Sequence, residues 1–170
     1  MRRAVLLVTV ATLSVLGLIT ASVLPSGAQE EPLPIAVELL TPRSTFTDDV
    51  ALKFRYKLDG HSRRHVINSK DPSRTVVARI TVQPGAQFPW HSHPGPVIVN
   101  VAQGELVYVQ AHDCEERSYP SGTAFVDPGR GHVHTAFNPT DQETVLVATF
   151  FEVSESDPIT ITEGITPGDC

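Results

Sequence analysis

Two pairs of histidines are the residues in this sequence best placed to do chemistry. His91-Ser92-His93 follows Gln87-Phe88-Pro89-Trp90, and His132-Val133-His134 comes later in the chain. In extended backbone, residues two apart project to one face. Their Cα atoms lie roughly 6.6 Å apart, a span two imidazoles can close around one ion. A third imidazole from the second pair completes a facial set and leaves positions for water or substrate. His91, His93 and His134 are therefore candidate ligands of one divalent metal ion, with Fe, Zn, Mn, Ni and Cu all open. His132 shares the parity of His134 and is a candidate fourth ligand, proton carrier or rim residue. The competing reading is a metal-free core in which the histidines are only hydrogen-bonded. Trp90 reads as a wall or rim aromatic. Val97, Val99 and Val101 share one face and read as the apolar wall of a cavity.

The segments that must position these residues are short. Leu52, Phe54 and Tyr56 alternate with Lys53, Arg55 and Lys57, which predicts a half-buried strand. Further strands are expected at 76–82, 97–101, 106–109, 123–126, 132–137 and 144–153, with one short edge strand near 35–40. Pro84-Gly85, Gly104, Asp127-Pro128-Gly129 and Asn138-Pro139 punctuate them. The polar stretch 59–73, with His61 and His65, reads as a solvated loop, and so does the neighbourhood of His112. The acidic end from Ser154 reads as a loose tail. No segment after residue 28 has convincing helical periodicity. Many short strands with closely spaced turns predict a sandwich or small barrel. No fixed-period repeat is present, which disfavours a propeller or β-helix.

The two histidine clusters sit in patterns that resemble the two motifs of the cupin superfamily. Gly85, His91, His93 and Gly104 fall on the spacing of the first motif, and Gly122, Pro128, Gly131, His134 and Asn138 on that of the second. The second match has one extra residue between Pro128 and Gly131. The short insert in His91-Ser-His-Pro-Gly-Pro-Val97 is similar to that of small bacterial cupin-2-type proteins. The resemblance implies an all-β fold, a small double-sheet jelly-roll β-barrel over 50–153, with the metal inside on His91, His93 and His134. It also exposes a departure. The family's glutamate ligand falls at position 97 or 98, and these are Val97 and Ile98. Three neutral imidazoles then leave a divalent site at +2, which favours an anionic ligand or hydroxide. The loss argues against oxalate-processing chemistry, whereas some cupin dioxygenases use three histidines alone. The implied function is an oxygenase or lyase/isomerase acting on a small organic anion. The alternative is a non-catalytic module that binds a metal or a small ligand. Pairing of two copies through edge strands is also implied.

Charge and composition narrow the class. The 170 residues are 41% apolar and 19% charged, which suits one globular domain. The net charge is −6, with no basic cluster, the wrong sign for a nucleic-acid partner. Arg2 and Arg3 precede an uncharged, mostly apolar run from Ala4 to Leu24, followed by Pro25 and Ser26-Gly27-Ala28. This is a secretory signal pattern over 1–28, so an exported protein is expected. Uncleaved, the run is long enough to act as a membrane anchor. Residues 29–49 read as a linker with an edge segment, and 154–170 as an acidic tail. Cys114 and Cys170 are free, paired between molecules, or joined in a disulfide that pins the tail. The sequence has no Ser-His-Asp order, Gly-x-Ser-x-Gly elbow or Gly-rich phosphate loop, so serine-hydrolase and phosphate-loop chemistries lack support.

Overall fold

A computed structural model describes residues 34–57, 64–72, 74–156, 158–167 and 170. The expected signal segment 1–28 and His61 lie outside the described residues. Ten strands are present: β1 (Ile35–Leu39), β2 (Leu52–Tyr56), β3 (His65–Ser69), β4 (Val76–Val82), β5 (Val97–Gln103), β6 (Glu105–Gln110), β7 (Glu116–Pro120), β8 (Ala124–Asp127), β9 (His134–Phe137) and β10 (Thr144–Phe150). No helix occurs among the described residues, and none is long and apolar enough to cross a membrane.

The strands form three antiparallel sheets, ordered β1-β4-β10-β5-β8, β2-β3 and β7-β6-β9. The hydrogen bonding does not close them into one continuous barrel; the arrangement is a jelly roll of separate sheets. The core lies between the five-stranded and three-stranded sheets. β4 contributes Val76, Ala78, Ile80 and Val82, β5 contributes Val97, Val99 and Val101, and β10 contributes Leu146, Ala148 and Phe150. Leu106 and Tyr108 of β6 and Ala136 of β9 belong to the same cluster. Burial alternates with period two along β4 and β10, and a one-residue slip would turn this buried set outward. Gly104 turns β5 into β6 with φ +74°, and a Cβ there would lie 2.6 Å from Thr144 Oγ1. Only glycine combines that conformation with that approach.

Two strands fall where the sequence predicts none. β3 lies inside the stretch expected to be loop. His65-Val66-Ile67-Asn68-Ser69 pairs with β2 and buries Ile67 and Ser69. β7 is polar, Glu116-Arg117-Ser118-Tyr119-Pro120, and is held by its ladder to β6. Its buried Arg117 donates to both carboxylate oxygens of Asp113, at 3.2 and 2.7 Å. The segment expected as a loose tail is another correction. Ser92 and Ile161 exchange backbone hydrogen bonds of 3.0 and 2.8 Å, Ile159 packs on the core, and Cys170 is disulfide-bonded to Cys114.

Candidate metal centre

The segment before β5 runs alongside β9. His91 and His134 exchange backbone hydrogen bonds of 2.9 Å in each direction, so their side chains share one rung. His93, two residues on, reaches the same space. The three rings converge: centroids are 4.1 Å apart for His91–His134, 4.9 Å for His91–His93 and 5.2 Å for His93–His134. One ring nitrogen from each lies within 4.8 Å of the others, and all three residues are buried.

Each ring is held from behind by an acceptor. His91 Nδ1 lies 2.7 Å from the Pro89 carbonyl and His93 Nδ1 lies 2.6 Å from the Ile159 carbonyl. His134 Nδ1 lies 2.9 Å from Asp127 Oδ2, with the His132 carbonyl at 3.3 Å. Carbonyl and carboxylate oxygens only accept, so each Nδ1 carries the proton and donates. That leaves each Nε2 with a lone pair, the tautomer a metal ligand needs. The donor set therefore fits a divalent ion of the kind imidazole prefers. Burial, then the neighbouring His134 and His93, push His91 down to about 3, against the hydrogen bond to Pro89. Burial also lowers His93. His91 and His93 are thus kept neutral, ready to ligate.

Asp127 is the functional residue that sequence reasoning missed. Its Asp-Pro-Gly context is fully explained by a turn, so nothing marks it as part of a site. It ends β8, is buried, and stands opposite Val97 in the β5–β8 ladder. Its Oδ2 accepts from the Tyr108 hydroxyl at 2.7 Å, and its Oδ1 from the Gly129 backbone N–H at 2.6 Å. The Tyr108 hydroxyl in turn accepts from Gln110 Nε2 at 3.0 Å. Burial acts to raise the Asp127 carboxyl. The adjacent His134 with its hydrogen bond, then His93 and the Tyr108 hydrogen bond, outweigh it and hold the group below the usual carboxylate range. Burial and Asp127 push the Tyr108 phenol well above its ordinary value.

The cluster opens on a cavity of about 80 Å³ lined largely by apolar side chains, among them Val97, Val99, Phe125, Phe150 and Ile159. Among the described residues, no lysine or arginine lines it. Trp90 is half-buried and outside that lining. His132 does not join the cluster as a fourth ligand. β9 begins only at His134, and the His132 backbone is tied in a turn by a 3.0 Å bond to the Gly129 carbonyl. Its side chain stays exposed. Asn138 fastens the turn after β9. Its Nδ2 donates to the carbonyls of Val82 and Gln142 at 3.0 and 2.7 Å, and its Oδ1 accepts from the Thr140 N–H at 2.9 Å.

Residues 78–150 match the family model described as Cupin domain. No curated protein matches the sequence. Among solved structures, KdgF from Halomonas sp. is 16% identical, with 75% of this chain and 86% of that one covered at a TM-score of 0.47. The polyketide cyclase RemF from Streptomyces resistomycificus is 18% identical, with 54% and 62% covered at 0.45. A cupin-like protein from Thermotoga maritima is 29% identical, with 48% and 58% covered at 0.41. This chain thus spans less than two thirds of the last two, and all three TM-scores are too low to transfer a function. The paired histidine motifs, the antiparallel jelly roll that brings them together, and the match over 78–150 identify this part of the chain as a cupin domain.

Proposed function

We propose that this protein binds one divalent metal ion through His91, His93 and His134 and uses it to hold a small molecule in the adjoining cavity. The observation that carries the reading is the outward pinning of all three Nδ1 atoms, which leaves three Nε2 lone pairs in one buried space. A bound ion would supply Lewis acidity, or an oxygen-binding centre if it is iron. The protein's own residues fix the imidazole tautomers, exclude water with an apolar wall and, through Asp127, place one negative charge beside the site. That charge brings the site from +2 toward +1, so a small organic anion is attracted less than three histidines alone would imply. Oxygenase or lyase/isomerase chemistry on a small ligand is the catalytic reading.

A non-catalytic binding module is the second reading, favoured by one observation. Among the described residues, the titratable groups lining the cavity are the three histidines, Asp127 and Tyr108, and each is hydrogen-bonded within the site, with no separate acid or base among them facing the ligand. The reading also places the protein outside the cytosol. The Cys114–Cys170 disulfide supports that address, because such bonds persist in oxidising compartments.

The test is elemental analysis of protein purified without tag or chelator, beside His91→Ala and His134→Ala. About one equivalent in the wild type, lost in both variants, is expected. Failure of the wild type to take up any of the five candidate metals would sink the reading. Turnover assays on the loaded protein, with and without oxygen, separate enzyme from binder.

A further inference from the structure

Position 97, one of the two on which the cupin pattern places its ligand glutamate, holds valine. Directly across the ladder from Val97 stands Asp127. Paired residues of neighbouring strands point to the same side of the sheet, and both line the cavity. A carboxylate is therefore present beside the site, one strand over from the position at which the resemblance implies it. There its Oδ2 does not join the three ring nitrogens as a donor. It accepts from His134 Nδ1 at 2.9 Å and from the Tyr108 hydroxyl at 2.7 Å, while Oδ1 is tied to the Gly129 N–H at 2.6 Å.

We propose that Asp127 is a positioning residue, which supplies from behind His134 the charge and the orientation that a carboxylate ligand on β5 supplies in the family pattern. The inference rests on the metal-binding reading. The geometry requires it to act through His134. A carboxylate behind a ligating imidazole fixes the Nδ1-protonated tautomer, locks the ring plane and strengthens Nε2 as a donor. Asp127 is itself locked by Tyr108 and Gly129, and Tyr108 by Gln110. Among the three ligands only His134 leans on a charged group; His91 and His93 lean on backbone carbonyls. The effect of Asp127 should therefore be specific to one ring.

The experiment measures Zn(II) affinity by chelator competition for the wild type, Asp127→Asn and Asp127→Ala. Thr144→Val, which removes a buried hydroxyl bonded to the Glu105 carbonyl, is the comparator for general destabilisation. Loss of a second-layer partner of this kind is expected to weaken affinity about 10–100-fold in Asp127→Ala. Asp127→Asn, which keeps an acceptor and loses the charge, should fall between. Thr144→Val should stay within about threefold. Nitrogen-15 spectra of the metal-free proteins give the second readout. His134 should be Nδ1-protonated in the wild type and lose that preference in Asp127→Ala, with His91 and His93 unchanged. An unaltered His134 tautomer overturns the proposal, as does an affinity loss no larger than that of Thr144→Val. If the wild type binds no zinc, the metal reading falls first, and the metal-free spectra still decide whether Asp127 sets the tautomer. An Asp127→Ala protein that fails to fold leaves the decision to Asp127→Asn.

Discussion

The Nδ1 proton of His93 is held by the backbone carbonyl of Ile159, sixty-six residues further along the chain, at 2.6 Å. A segment beyond the last strand thereby sets the tautomer of a candidate ligand, and Ile159 and Thr160 also line its cavity. A chain ending at Ser156 should keep its sheets, because their ladders end at Phe150. It should hold Zn(II) about 10–100-fold more weakly, the usual effect of removing a ligand's hydrogen-bond partner. Chelator competition together with circular dichroism checks this. Unchanged affinity in a folded truncated chain would mean that water replaces the carbonyl without loss.

Tyr108→Phe should destabilise the fold by about 1–3 kcal/mol, the cost of leaving buried polar groups with unmet partners. Asp127 Oδ2 loses one of its donors and Gln110 Nε2 loses its acceptor, both in the interior. The ring itself packs against Phe125 and His134 in either case, so packing is nearly conserved. The urea midpoint at pH 7 reports the change. A shift equivalent to less than about 0.5 kcal/mol, the scatter of ordinary surface substitutions, would show that the hydroxyl chain contributes little.

The convergence of the candidate histidines was legible in the sequence because spacing constrains it: two residues apart in extended chain means one face. β4 and β10 were legible as near-continuous runs of β-branched and apolar residues, with Pro84-Gly85 stopping the first. Asp127 was not, because a turn accounts for Asp-Pro-Gly without remainder. Nor was the contribution of Ile159, whose backbone carbonyl does the work and leaves no trace in residue type. β3 and β7 escaped because their sequences are largely polar. Each is a strand by virtue of its ladder partner rather than of an apolar face of its own. His132 shows the opposite error: parity was extended two residues beyond the point where β9 begins.

Metal-free protein should lose stability as the pH falls from 7 to 4. His91 is pushed down to about 3 in the folded state, against about 6.5 when unfolded, and His93 is lowered as well. Between those values the unfolded chain binds more protons than the folded one, so unfolding becomes easier as the pH drops. Asp127, held low in the folded state, acts with the same sign below about pH 4. Across the roughly 2.5 pH units between its unfolded value and pH 4, His91 alone accounts for about 3 kcal/mol, so the combined loss from pH 7 to pH 4 should be at least that large, measured from urea midpoints. A flat profile over that range would show that the histidines protonate inside the fold. His91→Ala should flatten the curve partly, because it removes one of the groups responsible.

Reduction of the Cys114–Cys170 bond should act on both stability and the site. The bond joins the turn after β6 to the end of the chain, across a separation of 56 residues. Opening a loop of that length relaxes the unfolded chain and should cost about 2–4 kcal/mol. The local effect follows from what lies between. The tail from Pro158 to Pro167 is fastened at one point by the Ser92–Ile161 bridge and at its far end by the disulfide. With the far fastening released, the backbone bonds between Ser92 and Ile161 and the His93–Ile159 bond must hold the segment alone. Amide exchange at Ser92 and Ile161 should therefore rise more on reduction than exchange within β4 and β10. Cys114→Ser should reproduce the effect without reductant. Equal protection of the bridge and of the central strands in the reduced protein would show that the strap is held by its packing rather than by its tether.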